Sequence, residues 1–303
     1  MAFGSDNSDA TLHLPRILCL HGGGTNARIF KMQCRAFKYH LGRQFRFIFA
    51  EAPFPTKPGP DVTSVYSSYG PFKGWLRPTE DSEDKDLCAA EASMLIQYSI
   101  NSAIIADNHL GATGKVVGVL GFSQGARLAA SLLYNQQHRG ERLSLSSRKQ
   151  PTTSTNWPDF QFAILMAGRG KLVWLMPDIQ MPEGATAPLQ PKSMPPQLQD
   201  DAPSWEGLNI NEKLQIPTVH VHGLQDVGLE FHRSMAKRYC APSSSTVIEW
   251  QGDHRVPIKT KDVMLVAEQM TRLAKPQHAL RSPSKPTFGG FPRGSLAQTM
   301  VQA

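Results

Sequence analysis

Between Gly121 and Gly125 the chain reads GFSQG, which places a possible nucleophile, Ser123, between glycines at the spacing G-x-S-x-G. An apolar run, KVVGVL, precedes it and an amphipathic run, ARLAASLLYNQQH, follows. That context predicts a tight strand-to-helix turn with the hydroxyl at a helix N-terminus, where the dipole favours developing negative charge. The flanking glycines remove side chains that would collide in such a turn. A serine hydroxyl is a weak nucleophile until a base stands beside it. Chains that use this turn supply an acid and then a histidine further downstream.

Ten histidines compete for the base. His254, in EWQGDHRVP, is the choice: it follows the last predicted strand, Gly252 lets its loop turn, and a helix comes next. Loops at the carboxyl ends of parallel strands are where such sites assemble. His220 and His222 share one strand and read as core. His21 closes the first strand and reads as support for the loop after it, while His232 and His138 fall on exposed-looking segments. For the carboxylate, Asp226 in HVHGLQD leaves a strand end through Gly223 and can hold the imidazole tautomer. Asp253 adjoins His254, but neighbouring side chains on an extended loop diverge. Asp200 and Asp201 have no strand before them.

The other chemical feature is LHGGGTNARIF, residues 20 to 30. A phosphate loop needs G-x-x-x-x-G-K-[ST], or G-x-G-x-x-G with an acidic residue ~20 positions on, and this stretch meets neither template. Acyl transfer instead needs backbone N–H groups aimed at the oxygen that becomes negative. One is expected from Gln124, just after the nucleophile, and one from the glycine loop. Gly23 is the candidate, with Gly24 close behind. This machinery requires no metal and no cofactor.

The elements that must carry these residues are legible as alternating runs. Strands are predicted at Arg16–His21, Phe45–Ala50, Val116–Leu120, Phe160–Met166, Pro217–His222 and Thr246–Trp250, several of them continuously apolar, as in parallel strands covered on both faces. Phe30, Cys34, Phe37 and Leu41 recur at helical spacing. So do Leu87, Met94 and Tyr98, and later Leu128, Ala129, Leu132 and Leu133, while Val263 to Leu273 forms a last helix. The alternation predicts an α/β layered domain over 15–275 with a mostly parallel sheet and helices on both faces. Residues 1–14 read as a flexible N-terminus, 136–158 as a polar surface insertion, 177–203 with seven prolines as a loop or lid, and 276–303 as a disordered basic tail.

From Thr271 to the C-terminus stand five basic residues and no acidic one, so that stretch supplies five of the net charge of +7 and leaves the rest near +2, and no nucleic-acid partner is expected. No run approaches the ~20 apolar residues that span a bilayer, and no secretory signal is visible, so a cytoplasmic protein without a membrane partner is expected. Four scattered cysteines read as reduced thiols.

LCLHGGGTNARIF, FAEAPF, YGPFKGW, GFSQGARLAA, ILMAGRG, HVHGLQD and GDHRVP, in that order, resemble the fungal FSH family of serine hydrolases, from about Arg16 to Leu273. The HGGGTNARIF form is similar to the branch found with polyketide biosynthesis. The resemblance implies an α/β-hydrolase fold and a triad of Ser123, Asp226 and His254. It also implies a thioesterase acting in trans, which releases an acyl chain from the carrier domain of a polyketide synthase. Two other readings stand beside it: a carboxylesterase on small oxygen esters, and a non-catalytic binding protein that kept the fold. Phe72, Trp75 and the proline-rich segment hint at an apolar acyl wall, though such residues are more often core.

Overall fold

The computed structural model describes residues 9–59, 62–78, 88–145, 157–190 and 207–275. Six strands form one parallel sheet: β1 (Arg16–Leu20), β2 (Arg46–Ala50), β3 (Val116–Phe122), β4 (Phe162–Met166), β5 (Thr218–Gly223) and β6 (Ser245–Trp250). Each lies within one or two residues of its predicted bounds. The spatial order is β6-β5-β4-β3-β1-β2. After β2 the chain therefore crosses back over β1 and builds outward on its other side. The loops leaving β1 and β3 emerge side by side at the point where the order reverses, which is where open α/β sheets bind ligands.

Every residue of β1, β3, β4 and β5 is buried, because helices cover both faces. On one face pack α3 (Ala89–His109), α4 (Gln124–Leu145) and α5 (Leu229–Tyr239), which join Leu18, Leu20, Val119 and Leu165 in one apolar cluster. On the other, α1 (Ala27–Gln33), α2 (Arg35–Leu41) and α6 (Thr260–Leu273) cover Ile17, Leu120, Phe162 and Val219. This is the expected α/β-hydrolase layering. No helix among the described residues is long and apolar enough to cross a membrane.

Four expectations need correction. Met94 and Tyr98 do not mark the buried face of α3: they are 62% and 72% exposed, while Ala92, Ile96 and Ile100 are fully buried. Leu87, read with them, lies outside the described residues. Phe30, Cys34, Phe37 and Leu41 do form one stripe, but it spans two short helices that meet at Cys34. The first ten residues assigned to the polar insertion, 136–145, are the last turns of α4, while 146–156 lie outside the described residues. Residues 9–14 are held rather than flexible. The Asp9 carboxylate pairs with Arg46 at 2.6 Å, and the Leu12 carbonyl accepts from Thr113 and Gly114.

In the proline-rich segment, Ala185–Thr186 pairs with Leu172–Val173 and Leu189–Gln190 with Arg77–Pro78, both parallel. Residues 1–8, residues 191–206, which include Asp200 and Asp201, and the basic tail 276–303 lie outside the described residues. Asp107 clamps one end of the layers, because its buried carboxylate takes Arg16 of β1 at 3.3 Å and Arg46 of β2 at 2.8 Å.

Candidate active site

Ser123 stands between β3 and α4 with φ of 53°, a left-handed conformation that a side chain adopts only when its surroundings over-determine it. Its N–H is held by the Met166 carbonyl of β4 at 2.8 Å, and its own carbonyl accepts the first helical bonds from Ala126 and Arg127. The two glycines of the motif are needed for approach: a Cβ on Gly121 would strike the Gly125 carbonyl, and one on Gly125 the Leu20 carbonyl.

The acid and the histidine converge on this serine from the loops after β5 and β6, beyond β4 along the sheet. His254 Nε2 lies 3.1 Å from Ser123 Oγ, and its Nδ1 lies 2.7 Å from Asp226 Oδ2. Asp226 follows β5 in a turn closed by its own N–H on the Gly223 carbonyl, and its Oδ1 accepts from the Gly228 N–H at 2.8 Å. The two loops are bonded to each other, Leu224 N–H to the Trp250 carbonyl and Gln225 N–H to the Gly252 carbonyl, so acid and base are set in register. Burial alone would raise the Asp226 pKa. The hydrogen bonds from His254 and the Gly228 amide outweigh it and keep the carboxyl below its usual range. An ionised acceptor on Nδ1 leaves Nε2 to face the serine, the arrangement a general base needs.

The glycine loop closes the site from β1. His21 is buried beneath it: its Nε2 accepts the Ala52 N–H at 3.1 Å, so Nδ1 carries the proton and donates to the Gly22 carbonyl at 2.8 Å. Thr25 Oγ1 donates to the same carbonyl at 2.6 Å. The Gly24 N–H is already engaged by the Lys73 carbonyl at 3.0 Å, whereas the Gly23 N–H has no hydrogen bond among the described residues. That difference selects Gly23 as the amide open to the cavity. Gln124 begins α4, so its N–H lies at the positive end of the helix beside Ser123. The Gln124 side chain also braces the loop, because its Oε1 accepts from the Trp75 N–H at 2.6 Å and packs against Gly23 and Gly74.

The rejected candidates are placed as follows. Asp253 is exposed and pairs with Arg255, and His220 and His222 are buried in β5. His138 is half-buried on α4 against Tyr134. His232 corrects the reading of an exposed segment: it is fully buried under the site, its Nε2 3.8 Å from Asp226 Oδ2 and its ring 6.0 Å from that of His254. It comes four residues after Gly228 on the buried stripe of α5, a periodic signal that its polarity masks. Among the described residues, Asp226, His232 and His254 are the one group whose donor atoms lie close enough to share a metal ion, within 4.8 Å of one another. As they stand, the Nδ1 proton of His254 fills the space between two of the three.

Trp75 is not a pocket wall. It is fully buried, with its indole N–H donating to the His21 carbonyl at 2.9 Å. The apolar lining of the cavity over Ser123 includes Val62, Val65, Leu76, Val227 and Ile258, and the cavity volume is about 820 Å³. That is ample for a drug-sized acyl group.

Over residues 10–266 the chain matches the family described as "Serine hydrolase (FSH1)". It is 48% identical over 277 residues to the esterase dbaE of Emericella nidulans, covering 91% of this chain and 96% of that protein. It is 47% identical over 270 residues to the esterase pigG of Monascus ruber, covering 88% and 94%. Among solved structures, Zea mays acyl-protein thioesterase 2 superimposes with a TM-score of 0.43 at 17% identity, covering 86% of this chain and 94% of that one.

Proposed function

Because this chain belongs to the FSH1 serine hydrolase family and is a serine hydrolase, we propose that Ser123, His254 and Asp226 cleave an acyl thioester, releasing a polyketide chain from the carrier domain of a synthase. The observation that carries the catalytic part is the unbroken line from Asp226 Oδ2 through His254 to Ser123 Oγ, with contacts of 2.7 and 3.1 Å. The thioester and its polyketide origin rest on the resemblance of the HGGGTNARIF branch. The roomy cavity and a relative named esterase are compatible with them.

His254 takes the Ser123 proton as Oγ attacks the carbonyl carbon. The amides of Gly23 and Gln124 hold the oxyanion, and the positive end of α4 adds to their field. Collapse of the tetrahedral intermediate expels the thiolate, which leaves with the proton from His254. A water, deprotonated by the same histidine, then cleaves the acyl-enzyme. Asp226 stays ionised throughout and stabilises the imidazolium. The buried thiols Cys19, Cys34 and Cys240 support a working place in a reducing compartment such as the cytoplasm.

The second reading, a carboxylesterase, uses the same residues and differs only in the leaving group. Both are tested by treating the protein with a fluorophosphonate probe and then comparing acyl-pantetheine thioesters with p-nitrophenyl esters, Ser123→Ala serving as control. The expected result is labelling and thioester turnover in the wild type and a loss of about 10⁴-fold or more in the variant. An unlabelled wild type would overturn the catalytic assignment, and equal kcat/KM on short oxygen esters would favour the carboxylesterase.

A further inference from the structure

The cavity over Ser123 carries a charge that hydrolysis itself does not use. Among the described residues, Arg35, Lys57, Arg127, Arg169, Arg255 and Lys259 line it, against two carboxylates, Asp226 and Asp253. Neither carboxylate pairs with Arg169: Asp226 is bonded to His254 and Gly228, and Asp253 pairs with Arg255 at 3.2 Å. Four of the cations are exposed, and exposed charges are well solvated and contribute little.

Arg169 is different. It is half-buried on the turn leaving β4, where Ala167 is forced to φ of 51°, and it makes no hydrogen bond or ion pair with any described residue. Its Nη1 lies 3.5 Å from where a Cβ on Gly228 would stand, so the guanidinium rests against the turn that carries Asp226. A guanidinium drawn partly out of water with no acceptor has a desolvation cost that no partner within the described protein offsets. A fork of donors facing a substrate cavity matches the geometry of a carboxylate or phosphate. Arg127 adds positive charge to the same wall, its Nε fixed by the Lys171 carbonyl two residues beyond Arg169.

We propose that Arg169, supported by the charge of Arg127, binds an anionic group of the substrate within the catalytic cavity. The inference rests on the serine-hydrolase reading of that cavity. The anion has two sources with the same chemistry: the phosphate of a phosphopantetheine arm on the leaving side, or a carboxylate on the acyl chain.

Three matched thioesters separate the sources: an acyl-pantetheine, the same acyl group on 4′-phosphopantetheine, and an ω-carboxyacyl-pantetheine. The wild type should prefer one anionic member over the neutral one by roughly 10- to 100-fold in kcat/KM, the range of a charge-assisted hydrogen bond. In Arg169→Met the ratio should collapse toward one, chiefly through KM. Arg169→Lys should keep part of it, having the charge without the fork. A preference for the phosphorylated thioester assigns the phosphate, and a preference for the ω-carboxyl thioester assigns the carboxylate. An anionic-to-neutral ratio that is the same in wild type and Arg169→Met overturns the proposal.

If none of the three is turned over, titration of the Ser123→Ala protein with 4′-phosphopantetheine and with glutarate reads binding directly. Adding Arg169→Met should weaken one of them about tenfold or more, and absent or unchanged binding of both overturns the site. Fluorophosphonate labelling separates the two failures. A labelled protein with no anion preference loses only the anion site, whereas an unlabelled wild type loses the hydrolase reading.

Discussion

At Ser123, His254 and Asp226, each residue depends on one contact that the others cannot replace. Asp226→Asn keeps the shape but puts an amide where an ionised acceptor held Nδ1–H. We expect kcat to fall by roughly 10⁴-fold with an unchanged melting temperature, and a loss below tenfold in steady-state kinetics would argue against the acid assignment. The glycine loop separates two effects. A Cβ at Gly23 would sit 3.2 Å from Gln124 Cδ and crowd the two amides proposed to hold the oxyanion, so Gly23→Ala should lower kcat by about 10²–10³-fold. Gly24 has φ of 73° and its Cβ would meet the backbone of Gly59. Gly24→Ala should therefore appear first as lost stability in a urea titration. The reverse pattern would assign the oxyanion amide to Gly24.

At the scale of elements, the strands were legible because parallel strands covered on both faces are continuous apolar runs that end in turn residues. The sequence GFSQG likewise announced its turn through the glycines that close packing requires. The buried face of α3 was not legible. Met94, Leu95, Tyr98 and Ile105 are exposed on the same helix that buries Ile96 and Ile100, so apolar side chains stand on every side and periodicity does not choose among them. Contact with the sheet does, and it makes a prediction: Ile96→Ala should cost about 2–5 kcal/mol by opening a cavity. Tyr98→Ser should change stability by no more than about 0.5 kcal/mol. Chemical denaturation of both checks this, and equal losses would contradict the placement of the helix.

For the molecule as a whole, three histidines sit buried and neutral, two within β5 and one on α5. Burial holds His220 to about 3, His222 to about 4 and His232 to about 3. In the unfolded chain each returns to about 6.5 and binds a proton that the folded state refuses. The unfolded state thus binds more protons, and stability rises with pH across this range. The full contribution is present above about pH 6.5 and is lost as pH falls toward 4, at up to about 1.4 kcal/mol per pH unit for each histidine. The urea midpoint should accordingly drop between pH 7.5 and 5.5. A flat midpoint would mean that these rings are hydrated in the folded state.

The sequence alone determined the layered class and singled out the serine, acid and histidine that the fold brings together, because period, turn chemistry and the order serine, acid, histidine are properties of short stretches. Tertiary structure alone decided what depends on residues far apart in the chain. The crossing of the chain back over β1 set the glycine loop beside the elbow. The Lys73 carbonyl took the Gly24 amide and left that of Gly23 open. The packing of α5 against the sheet put His232 under Asp226, and the turn after β4 brought Arg169 to the cavity. No local pattern encodes these choices, because each is made by a neighbour that only folding supplies.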